Sequence, residues 1–254
     1  MKGDLLLIVC MVRFAMAMDF PGEFVQNPGG SLALSGLPGL RSTPARYLED
    51  SSRAGLGVAY AQVPEASLQV AGAAGELLLG LFRLAFLSSY TEMDSLYRQV
   101  YSELDVSVTH SWFVGGAGYG VSVDFLPGEE CWTSNRYKAG VAVLKKPLSL
   151  SGMVVLVNQG DYFDMGYGTA LRFDGGRFGA FVEYDGISID VGNYLNFSHL
   201  SVISAYRFPE FAFSVSLVFS LGDWAFSGAY GNAGPIWDWF GFTATKTIRK
   251  KTIL

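Results

Sequence analysis

Phe163-Asp164-Met165-Gly166-Tyr167-Gly168-Thr169-Ala170-Leu171-Arg172-Phe173-Asp174 decides how the rest of the chain is read. Taken every second residue, one set is Phe163, Met165, Tyr167, Thr169, Leu171 and Phe173, bulky and apolar except for the threonine. The other set is Asp164, Gly166, Gly168, Ala170, Arg172 and Asp174. A period of two is that of a strand, whose successive side chains point to opposite faces. Phe211, Phe213, Val215, Leu217, Phe219 and Leu221 repeat the design against Ala212, Ser214, Ser216 and Ser220, with Val218 the exception. One face therefore meets an apolar medium. In a soluble sandwich that medium is the core and the other face carries Lys, Glu, Asp and Arg; here it carries Gly, Ala and Ser. A lipid-facing sheet fits better, and both runs reach the nine to eleven residues, roughly, that a membrane strand requires.

Composition points the same way. Half of the 254 residues are hydrophobic and 16% are charged, well below the roughly one quarter usual in soluble domains. Acids outnumber bases, 23 to 18, and the basic run Arg249-Lys250-Lys251 stands alone, so nucleic acid is excluded as a partner. Lys2, the apolar run Leu5 to Val12 and the small-x-small site Ala15-Met16-Ala17 read residues 1–17 as a signal peptide, which implies export. After cleavage Cys131 is the sole cysteine, so no intramolecular disulfide forms. The most apolar block, Ser67 to Leu87, is interrupted by Glu76 and Arg83 and reads as a hairpin turning at Gly75-Glu76, since a membrane helix would need a longer uncharged run.

Thirteen strand candidates follow: Ala54 to Gln62, Ser67 to Ala74, Leu77 to Leu87, Glu103 to Val114, Ala117 to Leu126, Asn135 to Lys145, Leu148 to Val157, Phe163 to Asp174, Arg177 to Asp185, Asn196 to Arg207, Phe211 to Leu221, Trp224 to Gly231 and Trp237 to Ile248. Long connections at Ser88 to Ser102, Pro127 to Ser134 and Gly186 to Leu195 alternate with short ones at Gly115-Gly116, Lys146-Pro147, Gly175-Gly176 and Phe208 to Glu210, until Gly222-Asp223 breaks the parity. Short turns on one side and longer loops on the other are the habit of outer-membrane barrels, which close with an even strand number. The expectation is an all-β transmembrane antiparallel barrel of 12 to 14 strands over residues 51–254. Trp224, Phe226, Tyr230, Trp237, Trp239, Phe240 and Phe242 are expected to form an interfacial aromatic girdle.

Asn27-Pro28-Gly29-Gly30-Ser31-Leu32-Ala33-Leu34-Ser35-Gly36 resembles the small-residue segment that follows the signal in outer-membrane barrels of the FadL and PorV-like class, with Thr43-Pro44-Ala45 near the place of their Asn-Pro-Ala-Gly element. The resemblance implies that residues 18–50, rich in Gly, Pro and Ser, plug the barrel or sit at its periplasmic mouth. It also implies the outer membrane of a Gram-negative-type bacterium, with membrane lipid as surroundings. Two roles follow from it: a channel or transporter for small solutes, hydrophobic ones by the FadL likeness, or a PorV-like barrel whose long loops Ser88 to Ser102 and Gly186 to Leu195 bind secretion-system proteins.

Chemistry is sparse. His110 shares the apolar face of its strand with Leu104, Val106, Val108 and Trp112 and reads as interfacial. No His or Cys cluster of metal-binding spacing exists, so neither metal nor cofactor is assigned. His199-Leu200-Ser201 resembles the His-x-Ser arrangement of lipid A deacylase barrels, with Asp190 the nearest carboxylate to orient the histidine. Against that hydrolase reading stands a structural histidine at a strand's end, and the chain is expected to be no enzyme. On the non-lipid face fall Asp105, Asp124, Lys138, Asp164, Arg172, Asp174 and Glu183, either paired with one another in a filled interior or lining a solute path.

Overall fold

A computed structural model of the chain describes residues 52–249 apart from 95, 129–130, 161, 185, 187, 210 and 233–237. The expected signal peptide (1–17) and interior segment (18–50) lie outside the described residues. The remainder forms a closed antiparallel barrel of fourteen strands: β1 Ser52–Val63, β2 Leu68–Leu79, β3 Phe82–Met93, β4 Tyr97–His110, β5 Phe113–Phe125, β6 Trp132–Lys145, β7 Leu148–Gln159, β8 Tyr162–Asp174, β9 Phe178–Tyr184, β10 Ile189–Asn196, β11 Leu200–Phe208, β12 Ala212–Leu221, β13 Trp224–Asn232 and β14 Asp238–Arg249. Each strand pairs with its chain neighbours, and β14 closes on β1 with Phe242 opposite Tyr60 and Ala244 opposite Val58. The strand number is even, as closure without free edges in such barrels favours.

The outside is apolar. Phe163 and Met165 are each 62% exposed and Phe211 68%, and Phe213, Leu217 and Phe219 lie exposed on the same outward face of β12. Side chains of this kind around a whole barrel are stable only against lipid. A sandwich, which would bury these residues under a second sheet, is thereby excluded, and the chain is a transmembrane barrel of the outer-membrane type.

Connections at one end are tight: Gly80-Leu81, Ser111-Trp112, Lys146-Pro147, 175–177, 197–199 and Gly222-Asp223. Those at the other end, 64–67, 94–96, 126–131, 160–161, 185–188, 209–211 and 233–237, run from two to six residues against two to three at the first end. We call these the turn end and the loop end. The first strand begins and the last one ends at the turn end, which the rule of short periplasmic turns assigns to the periplasm.

Several expectations are corrected. The stretch Ser88 to Ser102 is no loop: β3 and β4 run through it and turn only at 94–96. Gly186 to Leu195 is mostly β10. Both were obscured because inward residues such as Ser89, Thr91, Asp190 and Gly192 are polar or small, so the strand lacks the apolar contrast that marks it. The loops that a PorV-like interaction reading needs are therefore absent from the described residues. Gly75-Glu76 and Gly115-Gly116 are inside strands, and the turns are made instead by Gly80, at φ +65°, and Ser111, at φ +55°. Gly75 lacks a side chain because a Cβ there would lie 2.3 Å from the Phe86 ring and 2.9 Å from Leu56. Trp239 leaves the expected girdle: it points inward, 1% exposed, among Ala61, Val63, Val70 and Ala229, while Trp224, Phe226, Tyr230, Phe240 and Phe242 face out. Its register is odd where theirs is even, and Gly231 clears the space, since a Cβ there would come within 2.5 Å of the indole. Trp237 lies outside the described residues.

Candidate functional site

The candidate site is the barrel interior. Strands about 4.8 Å apart and tilted by about 40° close a ring of fourteen roughly 28 Å across between backbones, and inward side chains leave on the order of 15 Å between them. Such a bore is wider than side chains alone fill, and the compact connections at both ends are too short to fold into it.

The wall is built in register rows. Glu76, Ala85, Asp105, Gly118 and Lys138 stand side by side on β2 to β6. Ala85 and Gly118 are small because the charged neighbours lean over them; a Cβ on Gly118 would lie 1.8 Å from Asp105 Oδ1. Arg83 Nε donates to Glu76 Oε2 at 2.9 Å, and Lys138 Nζ donates to Glu103, which also accepts from the Tyr101 hydroxyl. These five charged residues are all buried. Toward the loop end, Asp124 accepts from Tyr97 Oη at 2.5 Å and from Gln99 Nε2 at 2.8 Å. Buried charge in a membrane wall is stabilised by pairing and hydrogen bonding, which these contacts supply for Glu76, Arg83, Glu103, Lys138 and Asp124, while Asp105 Oδ1 and Arg83 Nη1 have no hydrogen-bond partner among the described residues.

A second charged row crosses β9 to β11, where Glu183, Asp190 and Arg207 are direct neighbours. Arg207 forks onto Asp190, Nε to Oδ1 at 2.8 Å and Nη2 to Oδ2 at 2.7 Å. Nearer the turn end, Arg172 Nη2 donates to Tyr194 Oη at 3.0 Å and lies 3.5 Å from Asp174 Oδ2, with Phe181, Ala170 and Ala205 packed around Tyr194.

The remaining wall is different. Away from Trp239 and Val63, which fill the loop-end part of this wall, the inward residues of β12 to β14 include Ser214, Ser216, Ser227, Thr243, Thr245 and Thr247, and β1 continues them with Gly57 and Ala59. Thr243, Thr245, Thr247, Gly57 and Ala59 are only half-buried. Short side chains leave the bore widest on this side.

Of the residues singled out from sequence, Asp105, Asp124, Lys138 and Glu183 are buried on the inward face, and Arg172 and Asp174 half-buried on it. Asp164 shares that face but lies exposed near the loop end, where its carboxylate accepts from the Met165 N–H at 2.8 Å. Sequence reasoning missed Glu76, Arg83, Glu103 and Arg207, the partners that complete the pairs. Their signal was present: Glu76, Arg83 and Arg207 are each the one charge at inward parity in their strands, and Glu103 shares that parity with Asp105 on β4.

The hydrolase arrangement does not assemble. His199 is exposed in the connection 197–199, and Ser201 is inward, opposite Asn196 at the turn end of β10. Asp190 is held by Arg207 at the other end of that strand, about 20 Å away at the rise of a strand. Asp190 is therefore not placed to orient His199, and among the described residues no cluster of His, Cys, Asp and Glu is fit to hold a metal.

No protein-family model and no curated protein sequence matches the chain. Solved structures match its fold. The Pseudomonas putida toluene transporter TodX superposes with a TM-score of 0.63 at 10% identity, over 90% of this chain and 97% of that one. The monoaromatic hydrocarbon channel CymD gives 0.64 at 9% identity, over 89% of this chain and 99% of that one. At such identity the likeness is one of fold, that of a closed antiparallel barrel.

Proposed function

We propose that this chain is an outer-membrane channel for small apolar solutes, with the solute path along the wall of β12 to β14 and β1. One observation carries the reading: a lipid-clad barrel has much of its interior wall held by paired charges, while β12 to β14 and β1, away from Trp239, are lined by hydroxyls, glycine and alanine. Most charges of the charged wall are held in pairs, and the small-residue wall offers room to a compact solute. Structures of the same fold are described as a toluene transporter and a monoaromatic hydrocarbon channel, which supports small aromatic hydrocarbons as the solute class. The inward charges Asp105, Asp124, Lys138 and Glu183 hold the wall together, and Arg172, Asp174 and Asp164 border the two mouths. The segment 18–50 is the filler of the bore in this reading, since no described connection is long enough to serve.

The test is uptake of radiolabelled toluene by a Gram-negative host that lacks hydrocarbon channels and expresses this chain. Uptake faster than in the empty host is expected, and Thr245→Trp, which fills the small-residue wall, should slow it while outward-facing Val154→Trp should not. Uptake equal to the empty host with the barrel folded in the outer membrane, or insensitivity to Thr245→Trp, overturns the proposal.

A further inference from the structure

The two rims of the barrel carry opposite charge. At the loop end Glu65, Glu92, Asp94 and Asp238 are on the outer face or in the connections, and Arg98 is held by Glu92 at 3.1 Å. No connection at that end contains a Lys or Arg in its sequence, whereas Glu129, Glu130, Asp161, Asp185 and Glu210 fall within them. At the turn end the order is reversed. Lys145, Lys146, Arg177 and Lys246 are all exposed, with the histidines His110 and His199 at the same level and Asp223 the one acid among the exposed residues there.

Placement distinguishes this collar from an ordinary solvated rim. Lys145 and Lys246 occupy the lipid-facing parity of β6 and β14, in line with Val141 and with Phe242. The Lys246 ammonium lies 5.2 Å from the centre of the Trp224 ring, which itself stacks on Phe226. Trp112, 58% exposed in the turn 111–112, stands at the same end. Tryptophan at a barrel end marks head-group depth, so these cations sit where lipid phosphates are and not above them in water.

We propose that the turn-end collar, Lys145, Lys146, Arg177 and Lys246, binds the phosphate head groups of anionic phospholipid and selects such lipid over zwitterionic lipid around that rim. Juxtamembrane basic residues gain roughly 1 kcal/mol each from an anionic leaflet, about fivefold in affinity. The inference rests on the fold and the rim residues, and stands or falls separately from the channel reading.

Brominated lipid tests it. Purified full-length protein carrying Trp132→Phe, which removes the exposed tryptophan of the loop end, is titrated in neutral detergent with dibromo-phosphatidylglycerol or dibromo-phosphatidylcholine, and quenching of tryptophan fluorescence reports lipid arriving at Trp112 and Trp224. Half-quenching by phosphatidylglycerol is expected at a mole fraction at least about tenfold lower than by phosphatidylcholine. The quadruple variant Lys145→Gln, Lys146→Gln, Arg177→Gln, Lys246→Gln should lose that preference. Lys145→Arg, Lys146→Arg, Lys246→Arg should keep it, which shows that charge and not folding is being read. Glu65→Gln, Glu92→Gln, Asp94→Asn, Asp238→Asn at the loop end should also leave it in place. Equal quenching by the two lipids with the collar intact overturns the proposal. So does a preference that survives the glutamine variant, or one that moves as much with the loop-end variant, which would mean that net charge alone is at work.

Discussion

Arg207→Met is the sharpest test of how the interior is held. Arg207 and Asp190 are 3% and 2% exposed and bonded through two charged hydrogen bonds of 2.8 and 2.7 Å, with Glu183 beside Asp190 in the same register row and equally buried. Removing one member of a buried pair costs about 3–5 kcal/mol, because the partner's charge is left in a low-dielectric wall. A second contribution runs the same way. Side chains directly opposite on neighbouring strands are about 5 Å apart, so the carboxylates of Asp190 and Glu183 would repel by about 3 kcal/mol at an effective dielectric of 20 once the guanidinium no longer stands against them. The two figures describe overlapping effects, and about 3–5 kcal/mol is the expected loss. Arg207→Lys keeps the charge but not the two-pronged geometry and should lose about 1.5–3 kcal/mol. Asp190→Asn combined with Arg207→Met should lose less than the sum of the two single changes by at least about 1 kcal/mol. Urea unfolding in lipid vesicles, followed by tryptophan fluorescence and circular dichroism, reads these as a midpoint lowered by roughly 1 M or more for Arg207→Met. A loss within about 1 kcal/mol of the unaltered protein, or strict additivity in the double variant, would refute the claim that this pair stands in a dry wall.

Three further outcomes can be checked on the same preparation. Gly192→Ala places a Cβ 2.2 Å from the Phe181 ring and 2.6 Å from the Ser204 carbonyl oxygen; the oxygen belongs to a paired strand and cannot step aside, so a loss of about 1–3 kcal/mol is expected, whereas Gly166→Ala, which meets nothing within 4 Å, should be close to neutral in the same urea titration. Arginine at the outward position Val154, half-way along β7, should cost about 2–4 kcal/mol and arginine at Leu148, the strand's turn-end residue, about 0–1 kcal/mol; equal costs would mean that β7 does not cross the bilayer. Cys131, exposed in the connection 126–131 at the loop end, should react in intact cells with a membrane-impermeant maleimide, and Cys131→Ser should abolish the label; protection until the outer membrane is permeabilised would reverse the assigned orientation.

What the sequence made legible is the lipid face. Phe163 to Phe173 and Phe211 to Leu221 announce themselves because their outward residues are almost all bulky and apolar. The inward face gives no such signal, being polar, charged and tiny by turns, and errors gathered where it dominated. β3 and β4 vanish between Ser88 and Ser102 because Ser88 and Ser102 face lipid while Ser89, Tyr97 and Gln99 face inward, so that neither face stands out from the other. Ile189-Asp190-Val191-Gly192 does alternate, yet Gly, Asn and Asp nearby imitate a turn. Gly75 imitates a turn for another reason: in its strand it makes room for the ring of Phe86, directly opposite on the neighbouring strand, and a cross-strand partner is invisible in a linear reading.

The same argument explains why inward charges could be placed but not paired. Lys138 and Asp105 are readable one at a time from parity. That Lys138 meets Glu103 depends on β4, β5 and β6 lying in register with Gly118 opposite both Asp105 and Lys138, and the two partners are 35 residues apart in sequence. Asp190 shows the cost of reasoning from proximity instead: nine residues from His199 along the chain, it lies a strand's length away in space because β10 runs straight between them. The small-residue wall of β12 to β14 was hidden for a related reason. Ser, Thr, Gly and Ala carry no chemistry that a motif can name, and their meaning comes only from what stands opposite, a wall of neutralised charge across a bore too wide to close. A channel of this kind is defined by where side chains are short, and that is a property of the ring of strands, legible only when all fourteen are in place.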